Sequence, residues 1–258
     1  MNNFNFARTG QAPAGAMDTS VDAGLRKFML GVYNKMGLGL LLTAALAWIV
    51  ASTPLINMFF SVNAAGEITG LSILYYIVAF GPIAILFGSA FMMKNPSPVG
   101  ANIVYWSVVS LIGTSMGLLV FVYAGMQDGM ITVAKAFLTT AITFGGLSLW
   151  GYTTKKDLTG WGSFLIMAVI GLVVASVVNM FLASSMMSML ISLAGVVIFA
   201  GLVAYDTQRL KFQYYELGGS ERAMSVATTY GALSLYINFI NLFQFILIVY
   251  LDQYIQTV

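Results

Sequence analysis

Asp206 and Arg209 close the run VVIFAGLVAYDTQRLK, residues 196–211, whose first ten residues carry no charge. Three residues place the carboxylate about 4.5 Å from Arg209 along a helix, on the apolar side of a basic end marked by Arg209 and Lys211. An acid at that depth stays ionised only if it turns into a helix bundle and finds donors, and intramembrane acids commonly mark ion pathways. The plainer alternative is an i,i+3 pair with Arg209 that only ends a helix. Farther along, Tyr230, Ser234, Asn238, Asn241 and Gln244 fall within one arc of about 120° at about 100° per residue. Amide groups facing lipid would be left without partners, so this stripe must face other helices or water. It serves either as hydrogen-bonded glue between helices or as the oxygen-lined wall of a path for a hard cation.

The elements that must hold these residues are set by composition. Of 258 residues, 59% are hydrophobic and only 8% charged, against about 25% charged in soluble domains. A hydrocarbon core of about 30 Å requires about 20 apolar residues in a helix. Seven such stretches occur, near Leu30–Ser52, Leu71–Met93, Ala101–Gly125, Ile131–Tyr152, Trp161–Ala183, Ser188–Tyr205 and Thr229–Leu251. The sequence therefore predicts an all-α membrane protein with a seven-helix transmembrane domain over residues 30–258, preceded by a flexible cytosolic leader over residues 1–29. Ten of the eleven basic residues flank the first span or lie in the second, fourth and sixth loops, with Lys135 the exception. By the positive-inside rule the N-terminus is cytoplasmic and, after seven crossings, the C-terminus is outside.

The missing residue types exclude most membrane chemistry. With no histidine there is no imidazole for haem, zinc or a Ser–His nucleophile. With no cysteine there is no disulfide or thiol chemistry. The last span has no lysine for a retinal Schiff base, and an aspartyl protease needs two facing carboxylates where only Asp206 is within reach of a span. An enzyme is not expected, nor a cofactor. The net charge of +2 is too small to suggest nucleic acid. In the third span Gly113 and Gly117, one turn apart, permit close helix contact or a dimer face, although such spacing also arises by chance in glycine-rich spans.

Three stretches, GLVAYDTQRLK (201–211), WGYTTKKDLTGWGSFL (150–165) and ALSLYINFINLF (232–243), resemble in order the Bax inhibitor-1 family of transmembrane Bax inhibitor motif proteins. The likeness runs from about Arg26 to about Leu247, and the short leader looks like that of bacterial members, which implies an inner (plasma) membrane. The resemblance implies six helices around a central last one and a pH-modulated calcium leak, closed and sensed by two aspartates. Asp206 matches the first, which would also hold calcium weakly, with Arg209 beside it; the second falls at Asn238, where the family pattern LYLDFINLF reads LYINFINLF. An arginine that family members carry in the second helix is also missing, since Leu71–Met93 holds no basic residue. Ser234, Asn241 and Gln244 would then be the polar pathway. The resemblance equally allows a non-conducting regulator that binds a membrane partner, such as an ATP-dependent protease or a stress or cell-death factor. An asparagine at 238 cannot repel Asp206, so pH sensing is expected to be less sharp than with two carboxylates.

Overall fold

The computed structural model describes residues 14–63, 67–92, 95–217 and 220–257. Its chain order is α1 (Ala14–Ser52), a short α2 (Ile56–Phe59), strands β1 (Phe60–Val62) and β2 (Ile68–Leu71), then α3 (Ile73–Met92), α4 (Pro98–Ala124), α5 (Gly129–Thr153), α6 (Thr159–Leu182), α7 (Ser185–Glu216) and α8 (Glu221–Thr257). Seven of these helices are long and apolar enough to cross a membrane, and the protein is an all-α, multi-pass membrane protein. Among the described residues the exception to helix is the antiparallel hairpin β1–β2, in which Phe60 faces Leu71 and Ser61 faces Gly70 across the ladder. Hydropathy alone did not reveal it, because its strands are only three and four residues long.

Helix α8 is the innermost span by burial: 61% of its apolar window is buried, against 11% for α3 and α6 and 33% at most for the others. It packs against α1, α4, α5 and α7, while α3 lies outside on α4 and α6 outside on α7. The outer helices turn large apolar groups such as Phe91, Met167 and Phe181 outward, as lipid requires. Polar ties fasten α8 in place. Thr43 on α1 and Tyr236 on α8 share a buried hydrogen bond of 2.6 Å. Lys35 on α1 donates to Asn102 Oδ1 on α4 at 2.5 Å and to Thr229 Oγ1 on α8 at 2.7 Å.

Two expected boundaries move. The expected leader ends inside α1, which begins at Ala14 and already buries Leu25, Phe28 and Met29. Their i, i+3, i+4 spacing puts all three on one helical face. Residues 1–13 of that leader lie outside the described residues. Likewise Arg209 and Lys211 belong to α7, not to a loop. At about 1.5 Å per residue, the 39, 32 and 37 residues of α1, α7 and α8 far exceed a core of about 30 Å, so the basic residues ride on helical extensions beyond it.

The Gly113–Gly117 pair serves contact within the chain. A Cβ on Gly113 would lie 2.9 Å from Thr43 Cα, and one on Gly117 2.5 Å from Val50 Cγ1, so the small-residue face of α4 is occupied by α1.

Candidate functional site

The motif at the end of α7 radiates into three neighbours. Asp206 is 4% exposed and turns toward α8. Its Oδ2 accepts hydrogen bonds from Ser234 Oγ at 2.6 Å and from Asn238 Nδ2 at 2.7 Å. Its Oδ1 lies 3.0 Å from Arg209 Nη2, the i,i+3 ion pair that the spacing allowed. Arg209 also donates to Ser234 Oγ at 3.4 Å, which closes a ring of three side chains around the carboxylate. Ser234 and Asn238 are four residues apart and lie about 40° apart around α8, so both reach one carboxylate.

Thr207 points the other way, toward α5. It is fully buried, donates back to Val203 O and shares a 3.0 Å hydrogen bond with Ser148 Oγ, which in turn bonds the hydroxyl of Tyr33 on α1. Gln208, 3% exposed, clamps the α5–α6 connection: its Oε1 accepts from Leu158 N at 2.8 Å and its Nε2 donates to Lys156 O at 2.7 Å. In that connection Asp157 accepts from Thr159 N at 2.8 Å, and the Thr159 hydroxyl and N–H hold its exposed carboxyl below the usual carboxylate value. Lys211 donates to Tyr152 O at 3.1 Å. Two of the stretches that carry the family likeness are thus bound together by Gln208 and Lys211, and the third is bound through Asp206.

Asp206, Arg209, Ser234, Asn238 and Asn241 line a cleft of about 630 Å³ between α6, α7 and α8, with Ile83 of α3 at its edge. Asn241 contributes to the wall without touching Asp206, because its Nδ2 is turned to Ile237 O at 2.8 Å. Gln244 is half-buried and does not line the cleft. The physical reason is angular: six residues along α8 set Gln244 about 120° from Asn238, so the stripe is wide enough to serve two neighbours. Tyr230, at the other end of the stripe, lines two grooves at the basic end of the bundle.

The Asp206 carboxylate is occupied by partners within the protein. Both oxygens are engaged, one by two neutral donors and one by a guanidinium. Calcium usually takes six to eight oxygens. In this arrangement a calcium ion at Asp206 would meet an Oδ2 that already accepts two hydrogen bonds and an Oδ1 with a guanidinium 3.0 Å away. Among the described residues no group of three acidic, histidine or cysteine side chains converges.

Thr207, Gln208 and Ser148 were not singled out from the sequence. Their signal was present only as adjacency: TQ follows the acid within a motif whose neighbours WGYTTKKDLTG had already been set apart.

A seven-span all-α bundle whose sixth span carries a buried acid clamped to the seventh defines the class. A family model described as inhibitor of apoptosis-promoting Bax1 matches residues 25–253. The chain belongs to the Bax inhibitor-1 family. It is similar to an uncharacterized protein of Caulobacter vibrioides, at 54% identity over 96% of this chain and 97% of that one. It is also similar to the inner membrane protein YbhL of Escherichia coli K12, at 35% identity over 87% and 91%, and to the uncharacterized protein RP147 of Rickettsia prowazekii, at 39% over 88% and 89%.

Proposed function

We propose that this protein is a slow, calcium-permeable leak closed at its basic end by the cluster of Asp206, Arg209, Ser234 and Asn238. The observation that carries this reading is the placement of a 4% exposed carboxylate at the α7–α8 interface, at the floor of a cleft whose polar wall is Ser234, Asn238 and Asn241. Calcium is the cargo here, and the oxygens on offer suit weak, transient binding. Protonating Asp206 would remove the charge that orders three donors, which makes opening pH-dependent. Among the residues lining the cleft, the other ionisable groups are Arg209 and Tyr205, both on α7, and α6 and α8 contribute none.

Liposomes that contain only the purified protein test the reading. Calcium entry above that of empty liposomes supports it, and no excess at any pH overturns it. The second reading, a regulator that does not conduct, is favoured by the complete engagement of Asp206 in a chain without the second aspartate. It would then act through a membrane partner.

We place the protein in a bacterial inner membrane with its N-terminus cytoplasmic and its C-terminus outside. The basic extensions of α1, α7 and α8 support this orientation. The chain has no cysteine, so single cysteines report topology cleanly. A membrane-impermeant maleimide applied to intact cells should label Ser61→Cys in the β1–β2 hairpin and spare Lys155→Cys; the reverse pattern would invert the orientation.

A further inference from the structure

On the opposite side of α7 from Asp206, α1 and α5 both pack against α7 and α8 and leave a groove of about 940 Å³ between them. That volume is at the upper end for ligand pockets, which span about 300–1,000 Å³. Its position along the helices is fixed by Lys211, which follows Asp206 by five residues, about 7.5 Å toward the basic end, and so stands at headgroup depth.

The groove changes character along its length. At the basic end stand Arg26 of α1 and Lys211 of α7. None of the lining residues is acidic. Among the described residues the ion pair that forms is Arg209–Asp206, and no described carboxylate pairs with Arg26 or Lys211. Lys211 is held in place without being used up. Its ammonium donates to Tyr152 O at 3.1 Å and lies 5.4 Å from the centre of the Tyr152 ring, and an ammonium has three donors. Deeper in, the walls turn apolar with Leu30, Phe144 and Leu149. Leu30 and Leu149 are 51% and 65% exposed, which leaves a strip open to acyl chains. Gly145 lies in this strip, and a Cβ there would meet nothing within 4 Å. The hydrogen bond between Tyr33 and Ser148 closes the floor.

We propose that this groove binds one anionic phospholipid, its phosphate between Arg26 and Lys211 and an acyl chain along Leu30, Gly145 and Leu149. Two cations with no described carboxylate partner, at the basic end of an apolar slot, match the charge and shape of a phosphatidylglycerol-type lipid, and basic pockets between spanning helices take such headgroups. A zwitterionic lipid fits the slot but gains less from the cations, because its own ammonium offsets the phosphate charge. The assignment is independent of whether the protein conducts calcium.

The test is a lipid titration of the delipidated full-length protein in detergent, read by native mass spectrometry. Dioleoylphosphatidylglycerol should bind at least about tenfold more tightly than dioleoylphosphatidylcholine. Arg26→Gln with Lys211→Gln should raise the half-saturating concentration of phosphatidylglycerol about thirtyfold, the scale expected for two basic residues near a membrane surface, and that of phosphatidylcholine by less. Gly145→Leu extends into the slot from a Cβ that meets nothing within 4 Å, so it should weaken both lipids without lowering the melting temperature. Equal affinity of the parent for the two lipids overturns the proposal, as does parental phosphatidylglycerol binding in the double variant or in Gly145→Leu. Displacement of phosphatidylglycerol by an equal concentration of inorganic phosphate would mean a simple anion site and also overturn it. Should the double variant fail to fold, Arg26→Gln alone decides, since Arg26 is exposed and a loss of charge there costs no buried contact.

Discussion

Asn238 of α8 donates a 2.7 Å hydrogen bond to Asp206 of α7 from the position where the Bax inhibitor-1 family pattern places a second aspartate. One carboxylate and one amide therefore meet where two carboxylates would have met. Two acids at this distance hold together only by sharing a proton, because two like charges repel. An amide donates to the acid without that repulsion, and the Ser234 hydroxyl and the Arg209 guanidinium are its other partners. The α7–α8 contact at this site is thus built around a single carboxylate.

Asp206→Asn should open that arrangement. An asparagine keeps the shape but removes the charge that Arg209 pairs with, and its donor nitrogen obliges Ser234 and Asn238 to turn from donating to accepting. Loss of hydrogen bonds to a buried charged group costs about 2 kcal/mol, so the melting temperature should fall and the calcium leak of reconstituted protein should rise. Flux and pH response indistinguishable from the parent would reduce Asp206 to a helix-end ion pair.

The packing that holds α7 is open to a separate test at Gly151. A Cβ there would lie 2.3 Å from Ala204 O, a backbone atom that cannot swing aside, whereas at Gly146, five residues earlier on α5, it meets nothing within 4 Å. Gly151→Ala should destabilise by about 1–3 kcal/mol, the usual cost of overpacking, and Gly146→Ala should be neutral or slightly stabilising from better helix propensity. Thermal unfolding in detergent measures both. Equal melting temperatures would mean that α5 and α7 approach less closely than their backbones indicate.

Gln208 makes a prediction about the α5–α6 connection. Its amide satisfies Leu158 N–H and Lys156 C=O, and alanine would leave both to compete for water. Two hydrogen bonds at about 1 kcal/mol each correspond to a more than tenfold greater population of the released loop. Trypsin cleavage after Lys155 or Lys156 should accelerate by about that factor in Gln208→Ala. An unchanged cleavage rate would show that the loop is held by Leu158 burial alone.

The seven spans and the buried acid were legible in the sequence because both rest on one-dimensional signals: runs of apolar residues, and a charge where none should be. Ser234 and Asn238 were legible as one face of α8 because helical periodicity sets angles within a helix. Periodicity does not say what stands opposite each edge of the arc, which is why Gln244 was grouped with Asn238 although about 120° separates them. Gln208 was passed over for a related reason: its partners are 50 and 52 residues away, and an amide beside Arg209 reads as an ordinary helix end. The helix through residues 14–29 was hidden by polarity, since hydropathy finds membrane spans and α1 begins well outside one.

Restoring the second acid tests the relationship on which the site turns. In Asn238→Asp the new carboxylate occupies the place of an amide whose nitrogen lies 2.7 Å from Asp206 Oδ2. Both acids ionised would repel, and Ser234 and Arg209 cannot neutralise two charges, so the pair would close only with a shared proton and part as that proton leaves. Calcium flux should become more steeply pH-dependent than the parent's, low where the proton is shared and rising with pH. The closed bundle should follow the same sign: the variant should be as heat-stable as the parent in mild acid and lose stability as the pH is raised, because proton binding is then stronger in the folded than in the unfolded chain. Flux of the Asn238→Asp protein measured in liposomes from mild acid to mild base decides it. A pH curve superimposable on the parent's would mean that residues 206 and 238 do not face each other in the bilayer.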